Sequence, residues 1–323
     1  MAETRRAHHA DQIYSVLSDR ASAAQSAVAA SWSRSLQYGL DPELGRPPER
    51  LDGIAFNLAL ERLAPLIHLA HETLDRLFQA VGDAGCCVML TDRDGVPLVR
   101  RGKAADDIDF RNLGLWTGMV WSEASEGTNG VGTCLAEGRP LTIHRDQHFM
   151  TRNISLSCTV APIRDARGKI AATLDVSNCR ADLTPAVLKL IASATCEAAQ
   201  RIEARCFRDA FRDARILVGP DTSRGAGGLL AVDRQDLVIG ANYTARRAYG
   251  LTDEQLARPF PVGDILAPEA EAPGEDLAMA ERGAVQRALS RAHGNVSAAA
   301  RSLGISRATL HRKIARLRLE NRH

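Results

Sequence analysis

Apolar side chains recur with a helical period at both ends of a longer region that alternates. Leu63, Leu66, Ile67, Leu74, Leu77 and Phe78 form one stripe of a helix expected over Leu58–Ala80. Residues 86–100, CCVMLTDRDGVPLVR, then read as strand, turn, strand, with Asp94-Gly95 at the turn. A second hairpin is expected over Cys158–Val176, turning near Ala166–Gly168. Between the hairpins the pattern predicts a short helix over Thr128–Glu137 and a strand over Pro140–His144. Thr184 is placed to cap a helix running to about Arg212. Antiparallel strands interrupted by helices imply an α+β domain. A smaller strand, turn, strand, helix pattern follows over Gly228–Leu256, too short for a complete sheet domain. It is expected to be a small packed remnant or a dimer-contact element.

Both flanks of this region are helical. Residues 1–60 are rich in Ala and Ser, and Ser31–Pro42 ends on the stop signals Gly39 and Asp41-Pro42. Arg46-Pro47-Pro48, residues 213–228 and residues 267–276 read as linkers. At the other end, Val285, Ala288, Leu289 and Ala292 make one apolar stripe, and Val296, Ala299, Ala300 and Leu303 make a second. Asn295 or Ser297 is expected to cap the second helix, and Gly304 to end it in a left-handed conformation. Ser306 would cap a third helix striped by Leu310, Ile314 and Leu317. Ala308, Arg312 and Arg316 point away from that stripe.

Charge sharpens the picture. Residues 281–323 hold ten Lys and Arg against two Glu, whereas residues 1–280 hold 31 basic against 37 acidic residues. Positive charge concentrated on one short helical segment is the footprint of a nucleic-acid binder. A helix lying in the major groove would bring Arg307 and Arg312 to guanine edges and Thr309 to a base or phosphate. Lys313 and Arg316 would hold phosphates. The competing reading is a solvated basic face in a structural bundle.

The chain has 323 residues, enough for two or three domains. The polar start MAETRRAHHADQ and the lack of a stretch approaching ~20 apolar residues predict a cytoplasmic protein without a membrane span. Seven cysteines without a C-x-x-C pair suit a reducing compartment.

The sequence offers three catalytic or cofactor readings. EGTNGVGT is glycine-rich but lacks the Lys of a phosphate loop, so a structural turn is favoured. His144 and His148 with Asp146 offer metal-ligating groups on one loop, against loop packing, which is favoured. Cys86, Cys87, Cys134 and Cys158 offer redox chemistry, against burial as small hydrophobes. No catalytic or metal residue is assigned. An effector pocket is the preferred reading, with Trp116, Trp121, His144, His148 and Cys158 as candidate linings for an unidentified small molecule.

The C-terminal run ERGAVQRALSRAHGNVSAAARSLGISRATLHRKI resembles the Fis-type helix-turn-helix that closes bacterial enhancer-binding regulators. The resemblance implies DNA contacts at Ser306, Arg307, Thr309, His311, Arg312 and Lys313, and dimerisation through the first helix, which begins near Glu281. SWSRSLQYGLDP resembles the opening of acetoin/glycerol-type regulators, which act with sigma-54 polymerase. WSE, EGTNGVGT, HRDQHF and LSCTVAPI…LDVS resemble their GAF sensor. GLLAVDRQDLVIGANYTARRAYGLTDEQL resembles the start of a PAS domain, with Asn242 opening its first helix. Such regulators normally carry an ATPase module; this sequence has no Walker A, Walker B or GAFTGA-like motif.

The expected organisation is an α+β multidomain protein. It has a helical region (1–57), a GAF sensor with an antiparallel sheet and flanking helices (58–212), and a linker with a truncated PAS-like segment (213–268). An acidic/Pro linker (269–280) and an all-α Fis-type domain (281–323) follow. The expected activity is effector-responsive, sequence-specific DNA binding as a homodimer on duplex DNA. RNA polymerase or a full-length relative is a possible further partner. The alternatives are a module that sequesters a full-length relative, or a cysteine redox enzyme.

Overall fold

The structure is a computed structural model. It describes residues 2–18, 26–44, 48–180, 182–219, 227–266, 277–292 and 294–317. The expected linker at 267–276 and the Arg46-Pro47 pair lie outside the described residues. The chain divides into two compact units, 1–262 and 263–323.

In the first unit, α1 (Ala2–Ser18) and α2 (Ala27–Gln37) precede the long helix α3 (Gly53–Val81). Asp52 caps α3 by accepting a hydrogen bond from the Ala55 N–H at 2.8 Å, so the helix starts five residues before its apolar stripe predicts. Strands β1 (Cys86–Asp92) and β2 (Pro97–Arg101) form the first hairpin. Short helices α4 (Asp107–Asn112), α5 (Glu123–Glu126) and α6 (Gly130–Glu137) follow. Then come β3 (Leu141–His144), β4 (Ser157–Arg164), β5 (Ile170–Asn178) and the closing helix α7 (Pro185–Ala210), capped by Thr184. The sheet runs β2-β1-β5-β4-β3, every pair antiparallel.

Side chains alternate across this sheet, and both faces are covered. Val88 and Leu90 of β1, Ala161 and Ile163 of β4, and Leu174 and Val176 of β5 pack with α3 and α7. The interleaved residues Cys87, Met89, Cys158 and Val160 pack on the opposite face with Trp121 and Cys134. Each alternate residue therefore meets a different core, as the period of two requires. On the second face α6 lies against β4 without a spacer. A Cβ on Gly130 would come within 2.6 Å of the Cys158 Cβ, so only glycine permits this approach.

A second antiparallel sheet follows in the order β6 (Arg215–Val218), β7 (Leu229–Val232), β8 (Leu237–Ala241), β9 (Phe260–Pro261). Helices α8 (Tyr243–Tyr249) and α9 (Asp253–Leu256) lie between β8 and β9. Asn242 caps α8, as expected. The linker expected at 213–228 needs correction, because Arg215–Val218 pairs with Leu229–Val232 along its length. Ile216 packs with Phe207 of α7, Leu229 and Ala231, which draws those four residues into a strand. Residues 220–226 lie outside the described residues.

The second unit contains α10 (Gly263–Leu266), α11 (Leu277–Arg291), α12 (Val296–Ser302) and α13 (Arg307–Arg316). Val285, Ala288, Ala299, Ala300, Leu310 and Leu317 form its core. Asn295 and Ser306 cap α12 and α13 through side-chain oxygens. Gly304, at φ +66°, makes the sharp turn between them.

Candidate nucleic-acid interface and sensor face

Leu310 is fully buried, while Ser306, Arg307, Ala308, His311, Arg312 and Arg316 are exposed. One side of α13 thus anchors the helix, and the other presents cations around a small alanine. Arg307, His311 and Arg312 make no ion pair among the described residues. Thr309 is half-buried, and its hydroxyl lies 2.9 Å from that of the capping Ser306. Lys313 and Arg316 differ, because both donate to the carboxylate of Glu281 on α11. That pairing ties the end of α13 to the first helix. The sequence pattern does not reveal it, because 32 residues separate Glu281 and Lys313.

In the first unit, the expected linings divide. Trp121 and Cys158 share the second core of the sheet, and the Trp121 indole donates to the Gly114 carbonyl at 2.9 Å. Trp116 is half-buried, with the Arg100 guanidinium 4.3 Å and that of Arg111 4.0 Å from its ring. His144 pairs across the sheet with Ser157, one step out of register with Cys158. It therefore faces away from this core, and its Nδ1 lies 2.7 Å from the Ser157 hydroxyl. His148 is buried beneath α1, where its carbonyl oxygen lies 3.0 Å from His9 Nε2. Burial lowers its pKa to about 4. The two histidines do not join the Trp121–Cys158 face, and Asp146 is exposed. No group of three or more metal-ligating side chains occurs among the described residues.

Three polar residues on that face escaped the sequence reading. Asp175 and Ser177 sit on the central strand β5, and Arg100 on the edge strand β2. Ser177 donates to Asp175 Oδ2 at 2.7 Å and contacts the Cys158 sulfur at 3.1 Å. Asp175 Oδ1 has no hydrogen-bond partner among the described residues, and burial pushes the carboxyl up to about 7. The signal lay in ATLDVS: Ala172, Leu174 and Val176 face one core, so an acid at 175 must face the other. Burial also raises the thiol pKa values of Cys86, Cys87, Cys134 and Cys158. Nucleophilic or redox cysteines need the reverse shift.

The motifs at the start of the chain meet those of the sheet domain. Ser31 donates to Glu123 Oε1 at 2.5 Å and lies 2.7 Å from the Thr128 hydroxyl. Arg34 clasps both oxygens of Glu123 at 2.7 and 2.8 Å and reaches Glu137 at 3.1 Å. The Trp32 indole donates to the Gln147 carbonyl at 2.9 Å. Below them Ile13, Trp32, Phe149 and Met150 close a small apolar core.

Residues 65–202 match the GAF domain family, and residues 276–317 match the family described as bacterial regulatory protein, Fis family. The chain joins a GAF domain to a Fis-type helix-turn-helix. Its relatives include the acetoin catabolism regulatory protein of Cupriavidus necator, 35% identical over 236 residues, covering 72% of this chain and 35% of that protein. The acetoin dehydrogenase operon transcriptional activator AcoR of Bacillus subtilis is 28% identical over 174 residues, covering 54% of this chain and 29% of that protein. The chain thus spans about a third of the length of these relatives. The Escherichia coli DhaR(N)–DhaL complex contains a similar fold, with TM-score 0.53 at 19% identity, covering 70% of this chain and 77% of that one. The orphaned carboxylate of Asp175 lies in the GAF domain, and the exposed cations of α13 lie in the Fis-type domain. Among the described residues, no helix is long and apolar enough to cross a membrane.

Proposed function

We propose that this chain is an effector-responsive, sequence-specific DNA-binding transcriptional regulator that acts through its Fis-type domain and has no ATPase of its own. The observation that carries the reading is α13. A buried Leu310 holds a helix whose opposite side presents Arg307, His311 and Arg312 to solvent around Ala308. That arrangement fits a major groove and has no evident role in packing. Ser306, Arg307, Thr309, His311 and Arg312 are the proposed contacts, with Lys313 and Arg316 on phosphates.

The GAF domain is the proposed sensor. An effector must bind two arrangements of the protein unequally to change DNA affinity. Ile54 and Leu58, one turn apart on α3, and Leu190 on α7 expose apolar side chains, which supports a homodimer. The lack of ATPase motifs in the sequence supports control by occupancy or by a partner, such as RNA polymerase, rather than by ATP hydrolysis.

The test is recovery of genomic fragments by the purified protein, followed by affinity measurements on the enriched site. Arg312→Ala is expected to cost ~1–3 kcal/mol on that site and little on random DNA. Affinity should fall steeply with salt. Equal binding to every fragment by wild type and variant would overturn the reading.

A further inference from the structure

Arg100, Met89, Asp175 and Val160 are successive cross-strand partners on β2, β1, β5 and β4. Directly paired residues project to the same face of an antiparallel sheet. The row thus carries a cation and a carboxylate on one buried face, two strands or about 10 Å apart at the backbone, with Met89 between them.

Each charged group has a partner on one side only. Arg100 donates through Nη1 to Asp107 at 2.7 Å, yet its buried Nε and Nη2 have no partner among the described residues. Those two nitrogens form one edge of the guanidinium, the edge that meets both oxygens of a carboxylate. Asp107 balances the charge of Arg100 but meets Nη1 alone, so this edge stays open. Arg100 and Arg111 both lie on Trp116, and Asp106 on the adjoining turn is engaged by Arg180. At the other end Asp175 keeps Oδ1 free while Ser177 occupies Oδ2. Buried polar groups in folded proteins are nearly always paired. The row therefore offers an anion-binding edge at one end and a free acceptor at the other.

The geometry points to a small organic acid bearing a hydroxyl or ammonium donor as the ligand of this face, its carboxylate on the Nε/Nη2 edge of Arg100 and its donor on Asp175. This rests on the reading of the GAF domain as a sensor. It excludes dicarboxylates, whose second charge would oppose Asp175, and disfavours neutral alcohols and ketones, which leave the Arg100 edge unmatched.

Calorimetry on the full chain tests it, using lactate, 2-hydroxybutyrate and alanine against a neutral hydroxyketone and a neutral diol of similar size. The acids are expected to bind at least 10-fold more tightly than the neutral compounds. Arg100→Lys should weaken the acids roughly 10- to 100-fold, because lysine keeps the charge but loses the fork. Asp175→Asn, which preserves shape, separates the two donors, since an ammonium ligand loses far more than a hydroxyl ligand. Circular dichroism of each variant establishes that it is folded. Neutral compounds binding as tightly as the acids, with Arg100→Lys unaffected, would overturn the acid ligand and leave the sensor standing. If no acid binds, the proposal fails. If a broad set of neutral metabolites also leaves thermal stability unchanged, the sensor reading fails with it.

Discussion

Replacing Arg34 with Met removes the partner of a carboxylate that has little access to water. Glu123 retains only 5% of its side-chain exposure, whereas Arg34 retains 30%. Breaking a fully buried pair on one side costs about 3–5 kcal/mol. Here the cation is partly solvated and Ser31 still donates to Glu123, so the expected cost is roughly 2–3 kcal/mol. That energy holds α2 against the GAF domain rather than the sheet together. Its signature is local: hydrogen exchange of the Ala27–Gln37 amides should accelerate about 30- to 150-fold. Amides of β1 and β5 should change far less. Glu123→Gln alone should also loosen α2, and the double variant should be less damaged than the sum of the single ones, with a coupling of about 1–3 kcal/mol. Unchanged exchange in α2, or an equal acceleration in β5, would refute the idea that this ion pair docks the segment.

Glu281→Gln frees Lys313 and Arg316 for phosphate. DNA affinity at low salt should rise, and the slope of log affinity against log salt should steepen by about one to two; an unchanged slope would mean the two side chains never reach phosphate. Gly130→Ala places a methyl where α6 meets Cys158 and should cost about 1–3 kcal/mol in urea unfolding. The buried Asp175 and the half-buried Glu203 each titrate near 7 in the fold, above their ordinary values of 3.8 and 4.5, with desolvation the main cause. The folded protein therefore holds protons that the unfolded chain has released, and stability should decline as pH rises from about 4 to about 7. Asp175→Asn should flatten that decline in denaturation midpoints measured between pH 5 and 8.

The sequence reveals the parts that depend on period and turn chemistry. The α3 stripe, the Asp94-Gly95 turn and the caps Thr184, Asn242, Asn295 and Ser306 are local, and the structure reproduces them. Relations between distant residues were not legible. Nothing local places Ser31 and Arg34 against Glu123, or Glu281 against Lys313, because sheet packing and helix crossing create those pairs. The sensor face shows both cases. Trp121, Cys158 and the two histidines are grouped by residue type, since a pocket mixes apolar walls with a few polar groups. The register of β3 and β4 turns His144 to the opposite face. Asp175 was missed because a carboxylate inside a strand reads as a solvent-facing residue until both faces of the sheet are known to be covered. The strand at Arg215–Val218 was missed because its partner lies beyond a glycine-rich stretch that reads as flexible.

The packing of Phe207 bears on where the GAF domain can be cut from the rest of the chain. The GAF family match ends at residue 202, in the middle of α7, yet Phe207 near the end of that helix belongs to the core of the second sheet. The turn between β4 and β5 joins the same core through Ala166, and the Arg164 guanidinium lies 3.7 Å from the Tyr243 ring. A chimera spliced at the family boundary would cut α7 in two, keep Phe207 with the second sheet, and part that core from Ala166 and the Tyr243 ring from Arg164. The GAF domain of this chain should therefore transplant as a block ending after β9, longer than the stretch its family match covers.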